Sequence, residues 1–194
     1  MERKSYFTLR EWAIIVLMAL SSALMNTYLP IKSITEHFTI PGPAAGMALF
    51  GGIIFVLWIC IAYRIIRKKY AGIITSVLIA CVCLFVRPWY GVVDPYWFSV
   101  YGVIGLLFMG VVVELVETRS SNWGIFGGGL GNLSCLVVTW LAIGFHTGVW
   151  IALEASPFLI LGAVASGSIG ALIGHWAIQM IKANESSQNS NSKL

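Results

Sequence analysis

Charged side chains are scarce in this chain: Asp, Glu, Lys and Arg make up 10% of its 194 residues. A soluble domain carries about 25%, so a water-facing globule of this size could not be covered. With 58% hydrophobic residues and a mean hydropathy of +0.86, the sequence reads as an integral membrane protein. Also missing are a Walker-type glycine loop, HExxH and CxxC, so neither ATP hydrolysis nor a familiar metal site is written here. Cysteine is sparse, and Cys60, Cys81, Cys83 and Cys135 all fall in apolar runs, as small fillers rather than a disulfide frame. Spans of about 20 residues for a bilayer of about 30 Å would use most of the chain. No room remains for a separate soluble catalytic or nucleotide-binding domain.

Charge-free or nearly charge-free stretches cover residues 12–29, 44–63, 71–86, 97–113, 124–145 and 155–181. Inside hydrocarbon each backbone N–H and C=O must pair within its own segment, so these runs predict helices. The expected fold is an all-α bundle of six transmembrane helices over residues 1–183, followed by a Ser/Asn-rich, disordered tail over 184–194. The boundary between the fifth and sixth helices is the hardest to place, because only Gly144, His146, Gly148 and Pro157 punctuate that region. The first run, preceded by Arg3, Lys4 and Arg10, reads as a retained helix rather than a signal peptide: it is long and lacks a convincing Ala-x-Ala site before Pro30.

The excess of Lys and Arg points to a membrane and not to nucleic acid. Arg3, Lys4, Arg10, Arg64, Arg67, Lys68, Lys69, Arg119, Lys182 and Lys193 fall on one side of the expected topology, and only Lys32 and Arg87 on the other. The positive-inside rule then puts both termini in the cytoplasm, with the plasma membrane as the expected location. No internal repeat suggests the inverted halves common in secondary transporters.

Small residues form stripes. Gly162, Ser166, Gly170 and Gly174 recur every fourth position, with Ala163, Gly167 and Ala171 one step round. Such faces let helix backbones approach closely, and residues 127–131 are a plausible partner. Ala19 and Ala23 make a second, shorter face, with Ser22 beside it.

Three connections lie outside in this topology. The first contains Lys32, Glu36 and His37 and ends in Pro41-Gly42-Pro43; the second holds Arg87, Trp89, Tyr90, Asp94, Tyr96 and Trp97; the third surrounds His146, Trp150 and Glu154. The aromatics fit an interfacial belt. They also fit a pocket for a flat ring, with Trp140 deeper in the outer half of its helix, and a cationic heterocycle would gain from cation–π contact. Asp94 before Pro95 and Ser156 before Pro157 have the pattern of helix starts. That leaves Glu154, and then His146, as the groups best given to a ligand. Glu114 and Glu117 fall near the cytoplasmic end of the fourth helix, within reach of Arg119, and suit a salt pair or partner contact better than a substrate. His175 is expected to be interfacial.

This layout resembles the substrate-binding S components of energy-coupling factor (ECF) transporters. The resemblance covers nearly the whole chain: six helices, both termini inside, and a long outer first loop leading through Pro41-Gly42-Pro43-Ala44-Ala45-Gly46 into the second helix. It implies an Ala-x-x-x-Ala face, Ala19 and Ala23, docking on a coupling T subunit, with two ATPase subunits as further partners. It implies a vitamin-like substrate held near the outer face by Trp89, Tyr90, Asp94, Trp97, Trp140, His146 and Glu154, under a first loop hinged at Pro41-Gly42-Pro43. Arg87-Pro-Trp-Tyr-Gly looks more like the thiamine-precursor (hydroxymethylpyrimidine) branch than the cobalt or nickel branch, whose N-terminal Met-His motif is absent. In that role the chain is no enzyme, has no cofactor of its own and leaves ATP to its partners. The other readings are a stand-alone proton-coupled permease or small membrane enzyme using His146 and Glu154, and a ligand-free structural subunit.

Overall fold

The computed structural model describes residues 6–29, 42–86, 96–119, 124–150 and 152–191. Among these the protein is all-helical, with no strand. Helix α1 is Leu9–Tyr28. Helix α2 covers residues 42–66 in three joined parts: Gly42–Gly51, a π-helical segment Gly52–Val56, and Leu57–Ile66. Then come α3 (Ala71–Val86), α4 (Ser99–Arg119, after a 3₁₀ turn Tyr96–Phe98), α5 (Gly124–Thr147) and α6 (Ser156–Asn191). Five of the six are long and apolar enough to cross a membrane, compatible with a multi-pass membrane protein, and α3 is a shorter apolar helix.

Several helices outrun the apolar stretches that announced them, because a charged residue ends a hydrophobic run without breaking a helix. Thr8 caps α1 through a capping box with Glu11, so the helix begins at Leu9, three residues before the expected start. Helix α6 continues through Asn191, into the stretch whose composition suggests a disordered tail. Extending an existing helix adds a hydrogen bond for each residue fixed, so polar composition alone does not stop it. The break between α5 and α6 comes at Gly148, whose φ of +73° is a left-handed helix end that glycine adopts without a Cβ penalty.

Helix α2 stands in the middle. It packs against α1, α3, α5 and α6 and also touches α4, while α3–α4, α4–α5 and α5–α6 complete the surround. Phe55 and Ile59 of α2 meet Ile79, Leu106, Met109 and Val113 in the principal core. The two small-residue stripes of α6 have different partners. Gly170 faces Gly52 so closely that a methyl group on either would strike backbone, and Gly174 lies beside Leu57 and Cys60. One step round, Gly167 faces Gly128 of α5, and Asn132 donates from Nδ2 to the Ala163 carbonyl at 2.9 Å. Within residues 127–131, Gly128 and Gly129 meet α6, on its secondary stripe and beside it, while Gly127 and Gly131 face Val113 and Val116 of α4, and α2 takes the principal stripe.

The π-helical segment has wider turns, and its neighbours supply side-chain hydrogen bonds. The Ser22 hydroxyl donates to the Ile54 carbonyl at 2.6 Å, and the Gly52 N–H donates to Ser166 Oγ at 3.2 Å. Such bulges interrupt an α-helix only where something meets their altered backbone pattern.

Ala19 and Ala23 serve this interior. Both are fully buried in the core cluster shared with Ile54, Phe55 and Cys83. With Ser22 reaching Ile54, the small face of α1 turns inward, and Val16, Leu17, Leu20 and Leu24 are exposed instead.

Candidate functional site

The ends of the bundle carry two separate polar constellations. At one end, the indole of Trp97 lies parallel to the imidazole of His146, with centroids 4.1 Å apart and planes 11° apart. Trp97 also meets Phe98 and Tyr101 edge-on. The 3₁₀ turn before α4 presents Trp97, and the last turn of α5 presents His146, so the stack closes the α4–α5 seam. His146 is exposed and Trp97 half-buried, leaving this aromatic pair reachable from outside. Nearby on the chain, the Trp150 ring folds over Gly144, where a methyl group would lie 2.5 Å from ring carbons, and meets Phe145 edge-on at 5.5 Å.

The other expected site residues do not all join that pair. Trp140 packs in a distinct apolar cluster with Ala48, Leu136, Leu159 and Ala163. Its buried Nε1 has no hydrogen-bond partner among the described residues. Glu154 is exposed in the turn before α6 and forms no hydrogen bond or ion pair among the described residues. Trp89, Tyr90 and Asp94 lie outside the described residues.

The opposite end holds what the sequence reading missed. Arg64 of α2 donates from Nε and Nη2 to Glu117 Oε1 of α4, at 3.0 and 2.7 Å. Its remaining nitrogen, Nη1, contacts Nδ1 of His175 on α6, and His175 Nε2 lies 2.7 Å from the Gln179 amide. Guanidinium groups only donate, so Nδ1 accepts; with the ring proton of a neutral His175 on Nε2, the Gln179 side chain must present its carboxamide oxygen rather than its nitrogen to accept it. Gly124, at the start of α5, leaves room for the ion pair: a methyl there would lie 2.8 Å from Glu117 Cδ. A cleft of about 320 Å³ lined by Tyr63, Arg64, Arg67, Glu117 and Thr118 opens beside it.

Arg119 is thus not the partner of these acids. It stands two and five residues from Glu117 and Glu114, separations that do not share a helix face, and it is exposed. Glu114 instead accepts from the Tyr70, Gly72 and Ile73 amides, the last two at 3.0 and 3.1 Å. These are orphan donors at the start of α3, where a negative charge is also favoured by the helix dipole. The α2–α3 turn needs such an anchor, because Arg67 and Tyr70 both have positive φ, 53° and 71°, which costs roughly 1 kcal/mol or more at each. Glu114→Ala should lower stability by about 2–3 kcal/mol, since it strands buried amides, while Glu114→Gln should lose less. Chemical denaturation in detergent reads the difference, and equal losses would exclude the anchoring role.

Other basic residues of this end are also engaged. Lys68 pairs with Glu11 at 2.8 Å, and Lys69 lies over the Tyr70 ring at 4.8 Å. A sequence signal for the central pair existed: Arg64 precedes Ile65-Ile66 inside an apolar helix, and two acids on α4 lacked a same-face cation. Pairing them required knowing that α2 is central.

No protein-family model, curated protein or solved structure matches the chain. Functional inference therefore rests on these two constellations.

Proposed function

We propose that this protein is a membrane-embedded capture subunit that binds a flat, nitrogen-containing heterocycle at the Trp97–His146 end for import. The parallel indole–imidazole pair carries the reading: its rings already touch, so a planar ring joins by extending the stack from the exposed His146 side, and a cationic one gains further from the aromatic surroundings. The charge bias that puts the Arg64 end in the cytoplasm makes the Trp97 end the outer one. A vitamin or vitamin precursor, thiamine or its hydroxymethylpyrimidine moiety foremost, suits such a surface, and the resemblance to ECF S components supports the same class. In that role the bundle breaks no bond. Partner ATPases, acting through a coupling subunit, drive the inward step, and that subunit meets a surface other than the buried Ala19 and Ala23.

Isothermal titration of the detergent-purified protein with thiamine, hydroxymethylpyrimidine and other B vitamins tests the reading. Saturable binding is expected for at least one. Trp97→Ala should weaken it roughly tenfold, the loss of about 1.4 kcal/mol of stacking, with Trp97→Phe retaining most of the affinity. Absence of saturable binding by the folded protein across the set would remove the proposal.

A further inference from the structure

The Arg64–Glu117–His175 constellation plays no part in substrate capture at the far end, yet it joins α2, α4 and α6 through side chains distant in sequence. Ionisable groups in apolar helices are costly and are held where they act. Two of the three form a closed ion pair, and side-chain exposures of 11% for Arg64 and 4% for Glu117 leave it largely out of water. The third, His175, is an imidazole, which can carry a proton on one ring nitrogen or on both. From the geometry we infer that His175 is a proton-binding site whose protonation releases the C-terminal half of α6 from α2.

The charge balance gives the direction. With His175 neutral, Arg64 and Glu117 cancel and Nδ1 accepts from the guanidinium. A proton on Nδ1 removes that acceptor and sets imidazolium against guanidinium, leaving one net positive charge in the site. The groups facing it are Arg64 on α2, with Tyr63 and the Cys60 thiol a turn away, and Glu117 on α4. Among the described residues α5 contributes Gly124, which cannot titrate, and α6 itself the Gln179 amide. Glu117 is already engaged twice by Arg64, so it cannot neutralise a second cation without giving up the first. The cleft beside Arg64 and Glu117 offers water a route for the proton. Immediately above lies the glycine seam: Gly174 rests on Cys60 and Leu57, and beyond it α6 turns to the larger residues His175, Trp176, Ile178 and Gln179. Separation at His175 therefore uncovers Cys60, which is fully buried in the closed bundle.

That thiol is the reporter. In the full chain carrying Cys81→Ala, Cys83→Ala and Cys135→Ala, labelling of Cys60 by a small maleimide is followed from pH 8 to pH 5.5. Each rate is divided by that of the denatured chain at the same pH, which removes the thiol's own titration. The normalised rate should rise at least roughly tenfold on acidification, since one unfavourable charge contact at protein dielectric readily exceeds that, and should fall again on return to pH 8. His175→Gln, which keeps a neutral acceptor, should hold it low at every pH, and His175→Lys should raise it even at pH 8. A normalised wild-type rate that stays flat, or an acid response that persists unchanged in His175→Gln, overturns the inference. Neither readout depends on any ligand, so its failure is separable from failure of the capture proposal.

Discussion

Alanine at Gly52 or Gly170 is expected to lower the melting temperature of the detergent-solubilised protein by about 5–10 °C, and valine at either to leave little recoverable protein. The reason is the nature of the obstacle. A methyl group on Gly170 would strike the Gly52 carbonyl, and one on Gly52 the Ser166 carbonyl. Backbone cannot rotate away as a side chain can, so α2 and α6 must move apart along their whole seam. Overpacking typically costs about 1–3 kcal/mol, and each kcal/mol shifts the midpoint of a chain this size by about 2–4 °C. Alanine's better helix propensity recovers up to about 1 kcal/mol, a minor offset here. Gly162 and Gly174, on the same stripe, are the contrast. The nearest atom to a methyl on Gly162 is the mobile Leu49 Cδ2 at 3.3 Å, while the nearest to one on Gly174 is the Leu57 carbonyl oxygen, backbone again but 3.3 Å away. Alanine should be nearly neutral at Gly162 and cost less at Gly174 than at Gly52 or Gly170. Four equal shifts in a thermal scan would show that the seam is not where the backbones meet.

Breaking the Arg64–Glu117 pair should be the costliest polar change in the protein. Removing one partner of a largely buried ion pair leaves an uncompensated charge and typically costs about 3–5 kcal/mol, so Arg64→Met and Glu117→Leu are each expected to be severe. The double variant should be more stable than either single one, because no bare charge remains and apolar groups of similar size fill the space. Denaturant titration of the wild type, both singles and the double gives the coupling energy. Additive losses would mean that the two side chains do not depend on each other.

Some of this was legible in the chain and some was not. The apolar runs located all six helices, and Gly148 and Pro157 were among the few residues marking the boundary between the last two. The stripe at Gly162, Ser166, Gly170 and Gly174 was recognisable as a packing face, but its partner was not: α2 took it, Gly128 met the neighbouring stripe, and Gly127 and Gly131 turned to α4. Ala19 and Ala23 show the same gap. Spacing placed them on one side of α1, and only the position of α2 turned that side inward. Of the expected ligand residues, Trp97 and His146 came together across a long stretch of chain, while Trp140 went to a different cluster.

Helical class and helix count were set by the sequence alone, since in an apolar run every backbone donor must be met a turn away, a condition that composition by itself reveals. Which face of each helix turns inward was decided by the assembled bundle. That depends on rotation about each axis, fixed where Gly52, Gly128, Gly167 and Gly170 let backbones touch. Rotation in turn chose Arg64, far along the chain, over the adjacent Arg119 as the partner of Glu117.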